Sequence, residues 1–336
     1  MSITVQEIKA ELDEYVKKNT SVISAGVYSD NVQIDQYCKK ISAVKGKYPQ
    51  FHKILTRVVQ GFKAEWQSMG AAEFKAKVLQ NYRQKVNFSI IPDEVYATWL
   101  SDLKIEGKTP KDQPIAKQIV DELMEKIIDD CDDLAITGVR DDANADGQFG
   151  KSIDGVAELI TKGLAHATYP MFKVPLNTIT TANRLDEMEK YERGIPAKVR
   201  NKVKRIFVSE NFLYEYKKAM LDTYGANSNF ADGKMDKTII GNKQLVGLRG
   251  LPDNVIFSTI DGNMVKLIDV LDNPPRITDT QVQDYELKLF LEFHLGYDFI
   301  MNHLVFVAVF DGSLRGFDDA DLNTRYYESE ALSVTP

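Results

Sequence analysis

The sequence predicts an α+β fold in which one pair of strands leaves the body of the subunit. Three patterns carry this expectation. From Phe74 to Ile90 the even positions read Phe74, Ala76, Val78, Gln80, Tyr82, Gln84, Val86, Phe88 and Ile90, and the odd positions read Lys75, Lys77, Leu79, Asn81, Arg83, Lys85, Asn87 and Ser89. A strand shows one face every second residue, so this run has a mostly apolar face and a mostly basic one. From Val282 to Leu295, Leu287, Leu289, Leu291, Phe293 and Leu295 share a face opposite Glu286, Lys288, Glu292 and His294. Between these runs, Ile115, Ile119, Leu123, Ile127 and Cys131 recur every fourth residue, with Val120, Ile128 and Leu134 widening the stripe of one long helix. Ordinary strands have about five or six residues. At about 3.3 Å per residue the first run would reach roughly 55 Å, so part of it must project and find a partner surface outside its own subunit.

Helical spacing competes within that run. Phe74, Val78, Tyr82 and Val86 are also four apart, Leu79 joins their stripe, and Ala, Glu, Lys and Gln favour helix. Strand is the preferred reading for Phe74–Lys85, with helix open. Val86–Ile90, ending before Pro92, has strand chemistry.

The elements follow in order. Thr4-Val5-Gln6-Glu7 fits a capping box, and Val5, Ile8, Leu12, Tyr15 and Val16 form the stripe behind it. Ile34, Tyr37, Cys38, Ile41 and Val44 form a second helical stripe ending before Pro49. Both helices are polar on one side and read as an arm rather than a core. Val58, Phe62 and Trp66 begin an ascending strand, Met69-Gly70 is the expected tip, and the Phe74 run descends. Pro92-Asp93-Glu94 opens a short helix with Val95, Trp99 and Leu100, and Glu106 to Gln113 is a polar loop. Pro114 suits the first turn of the long helix, which ends near Leu134.

After Gly138 short helices and strands alternate. Leu185–Arg193 is a helix stopped by Gly194 and Pro196, Arg205–Val208 is a strand, and Ser209 caps a helix through Met220. Ile239-Ile240-Gly241-Asn242 with Leu245-Val246 reads as a hairpin, Val255–Ser258 as a strand, and Met264–Val270 as a short segment before Pro274-Pro275. Leu304–Phe310 is expected to pair with the Val282 strand, and the tail after Gly312 to be acidic and irregular. There is no internal repeat and no low-complexity tract.

With 336 residues, 43% hydrophobic and 27% charged, the chain fits one large or two ordinary globular domains. A net charge of -7 argues against a dedicated nucleic-acid binder but not against a protein that encloses nucleic acid. Cys38 and Cys131 lie far apart in helical patterns and read as reduced, mostly buried thiols. No apolar N-terminal segment for secretion and no membrane-length apolar run is seen, so a soluble chain made in a cytoplasm is expected.

Motifs for chemistry are weak. Gly150-Lys151-Ser152 resembles the end of a phosphate loop, but the position that needs the first glycine is Ala145. Asp142-Ala143-Asn144-Ala145-Asp146-Gly147 matches the first half of a calcium loop, yet Ile153 replaces the bidentate glutamate, and a solvated acidic turn is the simpler reading. His52, His166, His294 and His303 have no metal-ligand spacing. Trp66 and Trp99 read as packing anchors. No catalytic residue, cofactor site or metal site is assigned.

Asp129, Asp130, Asp132 and Asp133 cluster at the C-terminal end of the long helix, where the helix dipole disfavours anions. They either sit in water or face cations from elsewhere. The second reading makes them the dock for the basic face of a neighbouring copy's ribbon. The candidate interface residues are therefore Lys63, Trp66, Phe74, Lys75, Lys77, Arg83, Lys85, Asp129, Asp130, Asp132 and Asp133. Reversal of the four charges Lys75, Lys77, Arg83 and Lys85 is expected to abolish assembly while leaving folding intact.

Several blocks, in order, carry a family resemblance. The first is Gln60-Gly61-Phe62-Lys63-Ala64-Glu65-Trp66 through Gly70 and Phe74, then Arg83-Gln84-Lys85-Val86, Pro92-Asp93-Glu94 and Thr98-Trp99-Leu100. The second is Phe207-Val208-Ser209, Tyr214-Glu215-Tyr216, Tyr224-Gly225 and Leu248-Arg249-Gly250-Leu251-Pro252. The third is Phe257-Ser258-Thr259 with Asn263, the long strand and Gly296. Together they resemble the major capsid proteins of tailed double-stranded DNA bacteriophages, the Hong Kong 97 type fold, and among these the phages of Bacteroidota-type hosts.

The resemblance implies an N-terminal arm at 1–56, an extended loop at 57–85 lying on an adjacent subunit, a peripheral domain at 86–137 and 264–312, an axial domain at 138–263, and a C-terminal tail at 313–336. It implies a virion protein, assembled in the host cytoplasm through pentamers and hexamers into an icosahedral shell around packaged DNA. Portal and scaffolding proteins are the implied partners, with no membrane. A fused scaffolding domain is not expected, since no long coiled-coil prefix is present, and no residue match carries over the covalent cross-linking of some members. A bacterial nanocompartment shell, similar to an encapsulin, is the alternative with the same architecture. A cytoplasmic α/β enzyme built on 138–260 is the alternative of another class.

Overall fold

The computed structural model describes residues 5–28, 32–55, 57–70, 72–91, 114–144, 147–225, 234–284 and 286–327, with Val95, Trp99, Ser101 and Ile105 between 91 and 114. Two five-stranded sheets and a separate two-stranded ribbon form the β framework.

The first sheet is organised by its longest strand, β11 (Glu286–Phe299, 14 residues). Along one edge lies β4 (Tyr82–Ile90), antiparallel, from Leu287↔Ile90 to Leu295↔Tyr82. Along the other edge lie β10 (Arg276–Gln283) and then β9 (Met264–Ile268), and β1 (Lys39–Ile41) adds to β9 in parallel. The alternation read from the sequence holds in β11: Leu287, Leu289, Leu291, Phe293 and Leu295 are all buried. They enter the main core with α2 (Ile115–Thr137), whose Ile115, Ile119, Leu123, Ile127, Cys131 and Leu134 are buried as expected.

The N-terminal helix belongs to that core. α1 (Val5–Val27) buries Ile8, Leu12, Ile23 and Val27 and packs on α2 and β10, so it is not the peripheral element expected from its polar side. Its capping residue Thr4 lies outside the described residues. The second expected helix is also revised. Residues Gln33–Tyr37 form a short 3₁₀ turn and lead into β1. Asp35 explains the change: it is buried against Lys266 of β9 and accepts from Tyr297 Oη at 2.9 Å. That pairing brings residues 39–41 alongside β9, whose backbone groups replace those a helix would supply.

The second sheet has the order β5 (Phe172–Pro175), β12 (Val305–Val309), β8 (Phe257–Thr259), β6 (Arg205–Ser209), β7 (Gln244–Leu248). β12 pairs with β5 and β8, not with the Val282 strand as expected. Its five residues are all buried, Val305 and Val307 in the main core and Phe306 and Ala308 in the second, so it needs a neighbour on both faces. A strand of continuous apolar residues fits such a central place. The second core lies between this sheet and α4 (Arg184–Gly194), α6 (Glu210–Tyr224) and α7 (Ala320–Tyr327). Two smaller helices are α3 (Val156–Leu164) and α5 (Ala197–Arg200).

Ser209 caps α6 as expected, its Oγ accepting from Phe212 N at 2.9 Å. Residues 239–242, expected to pair with Leu245-Val246, are the turn itself, with Asn242 at φ 51, closed by an antiparallel bridge between Lys237 and Gln244; β7 then runs parallel to β6. Up to Tyr327, the last described residue, the tail is not irregular: it forms α7, with Phe317 and Tyr327 packed edge-on to Phe172 and Leu322 buried in the same core. The helix expected after Pro92 lies largely outside the described residues, though Trp99 is buried in the main core as an anchor.

Candidate assembly surface

The continuous Phe74 run divides in two. β3 (Ala72–Gln80) pairs antiparallel with β2 (Lys47–Leu55) as a ribbon separate from both sheets, while β4 joins the first sheet. The ascending strand is therefore 47–55, not the stretch starting at Val58. Pro49 is tolerated there because a two-stranded ribbon consists of edges only.

The break falls at Asn81, which is buried. Its N–H donates to Gly46 O at 2.9 Å and its Nδ2 to Val44 O at 2.9 Å. Gly296 makes room for this crossing, because a Cβ there would stand 2.5 Å from Gln80 O. Across the break the pleat changes sense. In β4 the even residues Tyr82, Gln84 and Val86 face the core, whereas in β3 Phe74, Ala76 and Val78 face solvent.

The consequence is an inverted ribbon. Its apolar face is outside: Phe51 is 65% exposed, Phe74 70% and Val78 54%, with Pro49 and Ala76 between them. Register places Phe51 opposite Ala76 and Pro49 opposite Val78, so these side chains form one patch. Its basic face is turned to the body. Lys77 Nζ donates to Asp298, to Phe299 O at 2.6 Å and to Asn302 Oδ1 at 2.8 Å. Lys75 Nζ lies 5.6 Å above the Tyr169 ring. Burial pushes the Asp298 carboxyl up and the Lys77 ammonium pulls it down, with the upward effect larger.

Beyond the ribbon, every residue from 57 to 70 is exposed, Phe62 at 99% and Trp66 at 90%. Trp66 is thus no packing anchor within its own chain. Gly70 is at the neck of this loop rather than at its tip: it has φ +84, and a Cβ on it would come within 2.6 Å of Arg57 O. The far end lies between, where Gln60 Nε2 donates to Gln67 O at 2.8 Å and Lys63 pairs with Glu65 at 2.9 Å.

The other predicted residues divide differently. Arg83 pairs with Glu292 on the solvent face of the first sheet, and Lys85 is exposed on that same face. The four basic residues do not share one surface, because the pleat change at Asn81 separates Lys75 and Lys77 from Arg83 and Lys85. The acidic helix end meets cations of its own chain. Arg249 lies 2.8 Å from Asp129, 3.5 Å from Asp132 and 2.9 Å from Asp133, and Lys126 lies 2.7 Å from Asp130. Arg249, then Lys126, holds the Asp129 carboxyl below its usual range. Sequence reasoning missed Arg249 as the partner, although it stands in the Leu248-Arg249-Gly250 block, because the pairing spans the fold.

Cys38 and Cys131 are free, and burial raises both thiols, Cys131 to about 12. The acidic turn is held by its own groups, Asp141 accepting from Ala143 N at 3.1 Å and from Asn144 Nδ2 at 2.9 Å. Ala145 and Asp146 lie outside the described residues. Among the described residues, no cluster has the composition of a metal site, and no helix is long and apolar enough to cross a membrane.

No protein-family model matches the chain, and no curated protein matches it in sequence. Solved structures do. The procapsid of satellite phage P4 superposes with a TM-score of 0.52 at 11% identity, covering 87% of this chain and 98% of that one. The capsid of cyanophage A-1(L) gives 0.54 at 13% identity over 83% and 90%, and the capsid of Myoviridae phage XM1 gives 0.51 at 9% identity over 83% and 92%. The architecture is that of phage capsid proteins, and the chain has the Hong Kong 97 type fold.

Proposed function

We propose that this chain is a major capsid protein that assembles through pentamers and hexamers into an icosahedral shell around double-stranded DNA. The observation that carries the reading is the position of its uncovered apolar surface. A capsid-type body is well filled, yet Phe51, Phe74 and Val78 stand in solvent on the outer face of the ribbon, and Phe62 and Trp66 on the loop beyond it. Monomeric proteins seldom present apolar surface in this concentration, and another copy is the partner that a closed shell provides. Burial of this surface would contribute about 25 cal/mol per Å².

In this reading residues 47–80 are the extended loop over a neighbouring subunit, the first sheet with α2 is the peripheral part, and the second sheet with α4 and α6 is the axial part. The acidic balance suits a container that does not grip its DNA. Portal and scaffolding proteins would be further partners, and assembly would take place in the host cytoplasm. The sequence blocks around Trp66 and Tyr216 point to a phage of a Bacteroidota-type host. Negative-stain imaging and sizing of the purified chain test the proposal: rings or closed particles support it, and a small soluble oligomer without larger products overturns it.

A further inference from the structure

The ribbon meets the body along a polar seam. His52, Lys75 and Lys77 come from the ribbon, with His52 opposite Lys75 in register. The 166–170 turn contributes Tyr169, with His166 accepting from Tyr169 N at 3.0 Å, β11 contributes Asp298, the 302–304 turn Asn302 and His303, and α7 Tyr326. The His52 and His303 rings are 5.4 Å apart, and His303 stacks on Tyr326 at 4.1 Å. His52 Nε2 lies 3.5 Å from Tyr326 Oη, and Tyr169 Oη donates to Ala76 O at 3.0 Å. Among the described residues, Asp298 is the carboxylate that enters the seam, and Lys77 already occupies it. Asp154 stands further off and pairs with Lys162 at 2.7 Å.

We propose that this seam is a pH-operated latch: with the His303 imidazole neutral the ribbon lies against the body, and proton uptake by His303, beside His52, lifts the ribbon and the 57–70 loop off it. Two ammonium groups face the seam already, so the added proton meets like charge in a partly desolvated place. Burial, with His52 and Lys75 beside it, lowers the His303 imidazole from 6.5 to about 3. A lifted ribbon takes His52 and Lys75 away from that ring while Tyr326 of α7 stays stacked on it, so its proton affinity rises toward the ordinary value. The lifted state therefore binds protons more readily, and acidification below pH about 6.5 favours it by up to about tenfold per pH unit. From His303 the balance at pH 4.5 moves by at most roughly a hundredfold from its neutral value.

The latch operates within one subunit, so its test is independent of the assembly reading. Hydroxyl-radical labelling of the full chain as isolated subunits is measured at pH 7.5 and 4.5, because lifting leaves the β2–β3 amides paired with each other. Tyr169 and Tyr326, which line the seam, are expected to gain several-fold in reactivity at pH 4.5, while Tyr191 and Tyr297 of the two cores hold. His52→Gln/His303→Gln is expected to remove most of that gain. Equal reactivity of Tyr169 and Tyr326 at both pH values, or an unchanged gain in the double variant, overturns the proposal. Should the double variant fail to fold, NMR titration of the histidine rings in the native chain decides. A His303 ring that titrates near 6.5 while the seam tyrosines stay unreactive overturns it, and one that gains its proton only as they become reactive supports it.

Discussion

Phe62→Ser/Trp66→Ser separates folding from assembly more cleanly than any other change. Both side chains stand in solvent in the subunit, 99% and 90% exposed, so neither has packing to lose on substitution. Subunit stability should stay within about 0.5 kcal/mol of the parent, as for other surface changes. If a neighbour covers them, each loses roughly 2–3 kcal/mol of burial free energy. The pair then weakens one intersubunit contact by about 4–6 kcal/mol, from about a thousandfold to about twenty-thousandfold in affinity. Urea unfolding of isolated subunits reads the first quantity, and sedimentation of assembly products against protein concentration reads the second. Particles forming at the parent concentration would refute the reasoning, as would a subunit destabilised by several kcal/mol.

Further outcomes follow from the ribbon and its supports. Lys77→Met leaves Asp298 buried without its cation and should cost about 3–5 kcal/mol in urea unfolding of the subunit. Reversing Lys75, Lys77, Arg83 and Lys85 together should therefore damage folding as well as assembly, seen as loss of a cooperative unfolding transition. Gly296→Ala places a Cβ 2.5 Å from Gln80 O at the crossing between β3 and β4, and a loss above about 2 kcal/mol is expected by the same assay. Ser209→Ala removes the cap of α6, for about 1 kcal/mol. Hydrogen bonds from Ser209, then Asn211, hold the Asp253 carboxyl below its usual range. Their contribution is present above pH about 4 and lost on further acidification, so the acid limb of the stability profile should flatten in Ser209→Ala.

Much of the architecture was legible because local pattern and tertiary demand agreed. The four-residue stripe of α2, the alternation of β11 and the Ser209 cap each satisfy a local rule and a buried partner together. The errors share the opposite cause. Ile34, Tyr37 and Cys38 keep helical spacing, but the buried Asp35–Lys266 pair requires β1 beside β9. The even positions from Phe74 to Ile90 look like one face, yet Asn81 and Gly296 reverse the pleat between Val78 and Tyr82. No local rule marks that reversal, since its cause lies more than two hundred residues away in the chain. The same cause turns Lys75 and Lys77 to their own body, where contact with a neighbouring copy is expected, and gives Asp129 and Asp133 a partner in Arg249 of the same chain. Trp66 illustrates the converse. Aromatic residues in a Gly- and Lys-bearing stretch read as anchors, but whether the anchor site belongs to the same chain is a property of the fold.

The central claim is that residues 57–70 and the outer face of the ribbon are covered by a second copy. Hydrogen-exchange and hydroxyl-radical footprinting of the purified chain before and after assembly measure this directly. Particles are expected in which Phe62, Trp66, Phe74 and Val78 become protected from oxidation. Particles that leave these side chains as reactive as in the free subunit would contradict it.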